Sequence, residues 1–263
     1  MEQLPKITVV TVSFNAADCI AATMESVVRQ TYPALEYVVI DGASTDGTVE
    51  IVKKYADRVS HFVSERDGGI YYGMNKGIDA ATGDYVIFMN CGDRFADDEV
   101  VGDVAAFIAA NPGSDVVYGN SYKVYDYGTY LSKPSTILGT RMGLSHQTVF
   151  AKTSLLRGHK FDTRYRYAAD FEQLSSLKND GAAFVHFDRA IATEEMRSGT
   201  TVSNYDASAR EMYAILEGRG VDVKKESRSQ LRRKRIVYTF KKKCPKFISN
   251  PVLRLVAKVY KPL

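Results

Sequence analysis

Four short apolar runs, separated by stretches of helical spacing, fill the N-terminal third of the chain and leave few folds open. The runs are Ile7–Phe14 (ITVVTVSF), Leu35–Asp41 (LEYVVID), Val59–Ser64 (VSHFVS) and Asp84–Asn90 (DYVIFMN). They are rich in β-branched residues, and three of them scarcely alternate with polar ones, which marks strands buried on both faces of a parallel sheet. Between them, Ile20, Met24, Val27 and Val28 recur at helical spacing, as do Val49, Val52 and Tyr55, and Gly69–Ala81 also reads as a helix. Gly42–Gly47 (GASTDG) is a turn that carries helix-capping residues. Such alternation predicts an α/β domain, a mostly parallel central sheet with helices on both faces. Further on, Val116–Gly119, Gln147–Lys152 and Ala183–Phe187 are strand candidates, and Ala169–Lys178 and Tyr205–Gly218 are helix candidates. One domain is expected over residues 1–220, followed by a tail over 221–263.

With 263 residues, 45% of them hydrophobic, the chain can bury one large core. Cys19, Cys91 and Cys244 are scattered and show no zinc spacing, which suits a reducing compartment without structural disulfides. The N-terminus has no signal-peptide pattern, and no apolar run approaches the ~18 residues of a membrane span, so the expectation is a chain that is soluble or lies on a membrane surface. The net charge of +4 hides an asymmetry: residues 221–263 hold 14 Lys and Arg against Asp222 and Glu226, a balance of +12, and the rest of the chain carries −8. An acidic body with a basic tail results.

Open α/β sheets bind ligands beyond the carboxyl ends of their strands. The first strand is followed by Ser13, Phe14 and Asn15, the second by Asp41, the third by Glu65, Arg66 and Asp67, and the fourth by Cys91, Gly92 and Asp93. Acids from three strand ends therefore converge on one crevice. A hard divalent cation offsets their repulsion and bridges to a diphosphate, while the remaining carboxylates are left to bind ribose hydroxyls or a base edge.

The segments VTVSFNA, VVIDGASTDGT and SERDGGIYYGMNKGIDAATGDYVIFMNCGD, in this order and spacing, resemble the family 2 glycosyltransferases with the GT-A fold. The similarity runs over about residues 5–205 and is greatest to the branch that builds bacterial exopolysaccharides, capsules and O-antigens. It implies that Val12, Ser13, Phe14 and Asn15 hold the nucleobase and ribose, that Asp41 meets the uracil edge, and that Glu65 and Asp67 line the nucleotide pocket. Asn90-Cys91-Gly92-Asp93 matches the metal motif, with Gly92 on the nucleotide and Asp93 as the metal ligand for Mn²⁺ or Mg²⁺. Asp170, in AADFEQ, matches the catalytic base at the start of a helix. His146, Gln147 and Arg197 match segments on the acceptor or diphosphate side. Two positions depart from the family pattern: the metal motif keeps only its last acid, and Tyr72 stands where relatives often carry Asp.

The resemblance implies an inverting transfer of sugar from a nucleoside diphosphate donor, a UDP-sugar, to a hydroxyl of a glycan acceptor, lipid-linked, in surface polysaccharide biosynthesis. Two alternatives are a nucleotidyltransferase, against which VSFNAADC speaks by lacking Gly and Lys after the first strand, and a non-catalytic nucleotide-sugar-binding assembly subunit. In the tail, LRRKR and FKKKC are basic clusters, and VLRLVAKVYK places Val252, Leu255, Val256 and Val259 on one helical face. That pattern suits an amphipathic helix on an anionic membrane surface, at the inner face of the cytoplasmic membrane. Packing on the domain, or on a second subunit in a homodimer, is the rival reading. Nucleic acid is not expected as a partner, given the acidic body.

Overall fold

The computed structural model describes residues 4–134, 143–196 and 204–221. Strands β1 (Ile7–Ser13), β2 (Leu35–Asp41), β3 (His61–Ser64) and β4 (Tyr85–Phe88) pair in parallel in the order β3-β2-β1-β4. Helices α1 (Ile20–Val28), α2 (Thr48–Lys53) and α3 (Ile70–Ala80) connect them. The sheet then continues through strands of mixed direction. β5 (Arg94–Phe95), helix α4 (Val100–Ala110), and the hairpin of β6 (Val116–Tyr125) and β7 (Gly128–Ser132) come first along the chain. They are followed by β8 (Val149–Lys152), helices α5 (Thr153–Gly158) and α6 (Ala169–Asn179), β9 (Phe184–Glu195) and helix α7 (Tyr205–Gly218). The full order is β3-β2-β1-β4-β8-β6-β9-β5, with β7 on the outside of β6.

Alternation along β1 explains the double cover. Ile7 and Val9 pack with α1 and α4 residues in one core, while Val10 and Val12 pack with α3 and α6 residues in the other. All seven residues of β1 are buried, as a parallel strand with helices on both faces requires. Helix α3 lies unusually close to β1 because it presents Gly73 and Gly77 to it. A Cβ at Gly73 would stand 2.6 Å from Val12 Cγ1, and one at Gly77 would collide with Val10. This close seat fixes the positions of Asp67, just before α3, and of Tyr71 in its first turn.

The opposite end of the sheet is pinned by Glu36. Its buried carboxylate accepts from Thr8 Oγ1 at 2.6 Å, the Thr82 N–H at 2.7 Å, Lys6 Nζ at 3.0 Å and Thr82 Oγ1. Burial disfavours the charge, but these donors outweigh it and hold the Glu36 carboxyl down at about 2.

The N-terminal elements agree with the expectation to within three residues at each end. The second half is richer than expected: β6 and β9 extend well beyond Val116–Gly119 and Ala183–Phe187, and α4, α5, β5 and β7 have no counterpart in the sequence reading. Gln147 and Thr148, the first two residues of the strand expected over Gln147–Lys152, belong instead to a 3-10 turn, His146–Thr148. The tail from residue 222 lies outside the described residues, as does Arg197.

Candidate active site

The register of the parallel strands sets Ser13 beside Asp41 and Asp41 beside Ser64, so three strand ends meet in one row. Asp41 is fully buried, and its carboxylate collects four donors. Oδ1 accepts from Ser13 Oγ at 2.8 Å and Ser44 Oγ at 2.5 Å, and Oδ2 from the Ser44 N–H at 2.8 Å and Ser64 Oγ at 2.7 Å. Burial disfavours the charge, yet these bonds overcome it and hold the Asp41 carboxyl below the usual range. Asp41 therefore ties the ends of β1 and β3 to the turn that follows β2.

Around this node, Asn15 takes positive φ (46°), donates its N–H to Ser44 Oγ at 2.8 Å and accepts from the Thr45 N–H at 3.0 Å. Phe14 is 66% exposed and lies against Gly42, where an added Cβ would come within 3.3 Å of its ring and 3.5 Å of Asp67 Oδ1. Phe14, Gly42 and Asp67 thus share one wall of the crevice. Asp67 accepts the Gly69 N–H at 2.9 Å, a turn that Gly69 closes at φ 128°. Two expected residues sit apart from this wall. The Val12 side chain is packed under Gly73, leaving its backbone as the part that can face a ligand. Glu65 is exposed and paired with Lys76 at 2.9 Å.

A second group forms past β4. Asn90 to Asp93 make a tight turn, with the Asp93 N–H on the Asn90 carbonyl at 3.1 Å and Gly92 at φ 98°. Thr23 of α1 braces it, accepting the Gly92 N–H at 3.1 Å and donating to the Asp93 carbonyl at 2.8 Å. The 3-10 turn crosses above. Gln147 Nε2 donates to Asp93 Oδ2 at 2.7 Å, and His146 Nε2 meets Asn90 Nδ2 at 3.1 Å. On its other side His146 Nδ1 stands 3.4 Å from Asp170 Oδ2. The ring is thus held between the Asn90 side chain on one edge and the Asp170 carboxylate on the other. Burial alone would lower the His146 pKa; Asp170, Asp93 and Glu194 reverse that and raise it.

Asp170 lies in the first turn of α6, where negative charge is favoured by the helix dipole. Its Oδ1 accepts from Tyr71 OH at 3.1 Å and from the Phe171 N–H at 2.9 Å. The carboxylate is oriented from three sides, by Tyr71, the Phe171 N–H and His146. Burial, with Asp170 beside it, raises the Tyr71 pKa well above the usual tyrosine range, so the phenol remains a donor. Cys91 links the two groups: its thiol points to the Val12 carbonyl at 3.4 Å and lies within electrostatic reach of both Asp41 and Asp93.

Among the described residues, no three His, Cys, Asp or Glu side chains cluster closely enough to hold a metal by themselves. The oxygen chemistry around Asp93 still suits a hard cation that takes the rest of its shell from phosphate and water. Two buried oxygens there, Asn90 Oδ1 and Glu194 Oε1, have no hydrogen-bond partner. Burial pushes the Asp93 carboxyl up to about 6, against the Gln147 bond.

Three residues that strand ends and motifs did not single out belong to this group: Tyr71, Asn90 as a side chain, and Glu194. Tyr71 reads in sequence as an ordinary apolar helix position. Glu194 is signalled only by an acid pair closing an apolar run, AIATEE.

A parallel half-sheet in the order β3-β2-β1-β4, covered by helices on both faces and continued by strands of mixed direction, is the GT-A fold. The profile described as Glycosyl transferase family 2 matches residues 8–184, and the chain belongs to that family. Among curated relatives, the PGL/p-HBAD biosynthesis glycosyltransferase of Mycobacterium bovis (strain BCG / Pasteur 1173P2) is 29% identical over 175 residues, covering 64% of this chain and 68% of the relative. Staphylococcus aureus TarS 1-349 in complex with UDP superposes with a TM-score of 0.64 at 21% identity, over 90% of this chain and 72% of that one. The mannosyltransferase PcManGT from Pyrobaculum calidifontis, in complex with GDP-Man and Mn²⁺, superposes with a TM-score of 0.60 at 16% identity, over 100% of this chain and 89% of that one.

Proposed function

We propose that the chain transfers one sugar from a UDP-sugar to a hydroxyl of a glycan acceptor, with inversion at the anomeric carbon. The observation that carries this reading is Asp170, oriented by Tyr71, the Phe171 N–H and His146 and joined through His146 to Asn90 of the Asp93 turn. Asp170 takes the proton of the acceptor hydroxyl as that oxygen bonds to the anomeric carbon. The bond from that carbon to the β-phosphate oxygen breaks, and the nucleoside diphosphate leaves with the electron pair. His146 keeps the Asp170 carboxylate in line, and Asn90 holds the ring.

Asp93 is the residue to hold Mn²⁺ or Mg²⁺, which supplies positive charge where the diphosphate leaving group develops its negative charge. The Ser13–Phe14–Asn15 segment, Asp41, Asp67 and Gly92 form the nucleotide side, with Phe14 as the exposed ring for the base. Glu65, paired with Lys76, takes part only at the rim. His146 and Gln147 belong to the acceptor side, and Arg197 is assigned to the diphosphate. UDP in the TarS complex supports a UDP donor, and Mn²⁺ beside GDP-Man in PcManGT supports the cation.

The acceptor is read as lipid-linked, in surface polysaccharide biosynthesis, with residues 1–220 as the catalytic domain and the basic tail 221–263 holding the enzyme to the inner face of the cytoplasmic membrane. No described helix is long and apolar enough to cross a membrane. A panel of UDP-, GDP- and dTDP-sugars with Mn²⁺ or Mg²⁺ tests the activity, reading nucleoside diphosphate release with and without glycan acceptors. Release from UDP-sugars is expected, and silence across the panel refutes the reading. Co-sedimentation with anionic vesicles, comparing the full chain with one ending at Gly220, tests the tail. Full-chain binding that salt reverses is expected, and equal behaviour of the two refutes membrane attachment.

A further inference from the structure

Strand β9 closes the sheet against β5 in antiparallel register, with Phe95 opposite Ala192 and Arg94 opposite Thr193. One step further along that register brings Asp93 level with Glu194, and the neighbouring Glu195 N–H donates to the Asp93 carboxylate. Glu194 is only 7% exposed, and its Oε1 accepts no hydrogen bond. Its charge reaches Asp93, His146 and Tyr125, of which two are acids or neutral phenols and one is a histidine already bonded to Asp170 and Asn90. No lysine or arginine among the described residues pairs with it.

An acid buried with an unsatisfied oxygen beside a second buried acid is costly, and folded chains keep such an arrangement where something else completes it. Only three buried side-chain polar atoms among the described residues lack a partner: Asn90 Oδ1, Arg189 Nε and Glu194 Oε1. Two of the three flank the turn that carries Asp93. Both are oxygens, the donor type that Mg²⁺ and Mn²⁺ prefer. A hydroxyl of the acceptor would satisfy one oxygen but would leave two buried carboxylates within electrostatic reach of each other, whereas a divalent cation answers the charge of both.

We propose that Glu194 is the second protein carboxylate of the cation site, binding through Oε1 beside Asp93. The inference rests on the reading of Asp93 as the cation ligand. The motif Asn90-Cys91-Gly92-Asp93 supplies a single acid, and β9 returns the missing one from more than a hundred residues further along the chain.

Mn²⁺ titration of the full chain in the presence of UDP, followed by the free-Mn²⁺ EPR signal, tests this on wild type, Asp93→Asn and Glu194→Gln. Glu194→Gln is expected to weaken Mn²⁺ binding by roughly tenfold or more, since charge count sets the affinity of oxygen sites. Its melting temperature in EDTA is expected to equal or exceed that of wild type, because the unpartnered charge is gone. Should Glu194→Gln bind Mn²⁺ within twofold of wild type while Asp93→Asn loses it, Glu194 is not a ligand, although Asp93 remains one. Should wild type itself take up no Mn²⁺, the cation reading of Asp93 falls and this inference falls with it. If Glu194→Gln melts below wild type in EDTA, Glu194→Asp, which keeps the charge and withdraws the oxygen, replaces it: weaker Mn²⁺ binding supports the ligand role, and unchanged binding overturns it.

Discussion

Replacing Asp93 with Asn is expected to stabilise the metal-free protein, and by an amount that depends on pH in a stated direction. Burial pushes the Asp93 carboxyl from an ordinary 3.8 up to about 6, in spite of the Gln147 amide that favours its charge. A displacement of about two pH units at about 1.4 kcal/mol each amounts to about 3 kcal/mol. The folded chain keeps a proton on Asp93 that the unfolded chain has already released. The contribution to stability is therefore fully present below about pH 4 and is lost as pH rises through 6. Asparagine keeps the shape and carries no charge at any pH. Urea unfolding in EDTA, followed by circular dichroism, measures the difference between variant and wild type. Relative to wild type, Asp93→Asn should gain about 2 kcal/mol more at pH 7.5 than at pH 4.5, where unfolded Asp93 is ionised and the folded residue is not. Comparing two pH values removes the constant cost of altering the bonds from Gln147 and the Glu195 N–H. Adding Mn²⁺ and UDP at pH 7.5 should then reverse the order, because only wild type has the charge that binds the ion. A difference that is the same at both pH values would refute the reasoning, since it would mean that Asp93 ionises as freely in the folded chain as in the unfolded one.

Three further outcomes follow from the geometry. Asp170→Asn retains the acceptor for Tyr71 and the Phe171 N–H but cannot take a proton, so turnover at saturating donor should fall about a hundredfold or more while UDP affinity measured by calorimetry stays unchanged. Asp41→Ala strands the donors of Ser13, Ser44 and Ser64, so it should cost about 2 kcal/mol or more in thermal unfolding as well as weaken UDP binding; a loss of UDP affinity with no loss of stability would contradict the four-bond node seen here. Glu36→Gln, far from the site, removes a carboxyl held at about 2 against an ordinary 4.5; this group adds stability above about pH 4.5 that is lost as pH falls toward 2. The variant should therefore be less stable by roughly 3 kcal/mol at pH 7 in urea unfolding, with the gap narrowing toward pH 3.

The sequence by itself determined the parallel half of the sheet and the row of residues at its edge. Continuous β-branched runs can be buried only between two helical layers, and once β1 and β2 are placed, chain order alone puts Ser13, Asp41 and Asp93 at the same end. Local signals, such as a strand period followed by a polar turn, suffice for that. What only the tertiary structure decided is how those acids are used. Asp41 looks in sequence like a free acid after a strand, yet register brings Ser13 and Ser64 to it from neighbouring strands and leaves it wholly buried. His146 joins Asn90 to Asp170 across separations that no spacing rule covers, because a 3-10 turn passes over the end of β4. Glu194 reaches the Asp93 turn only because β9 runs back along β5. In each case the pairing is set by which strands become neighbours, a choice made by the packing of the entire core, and the sequence near each residue carries no trace of it.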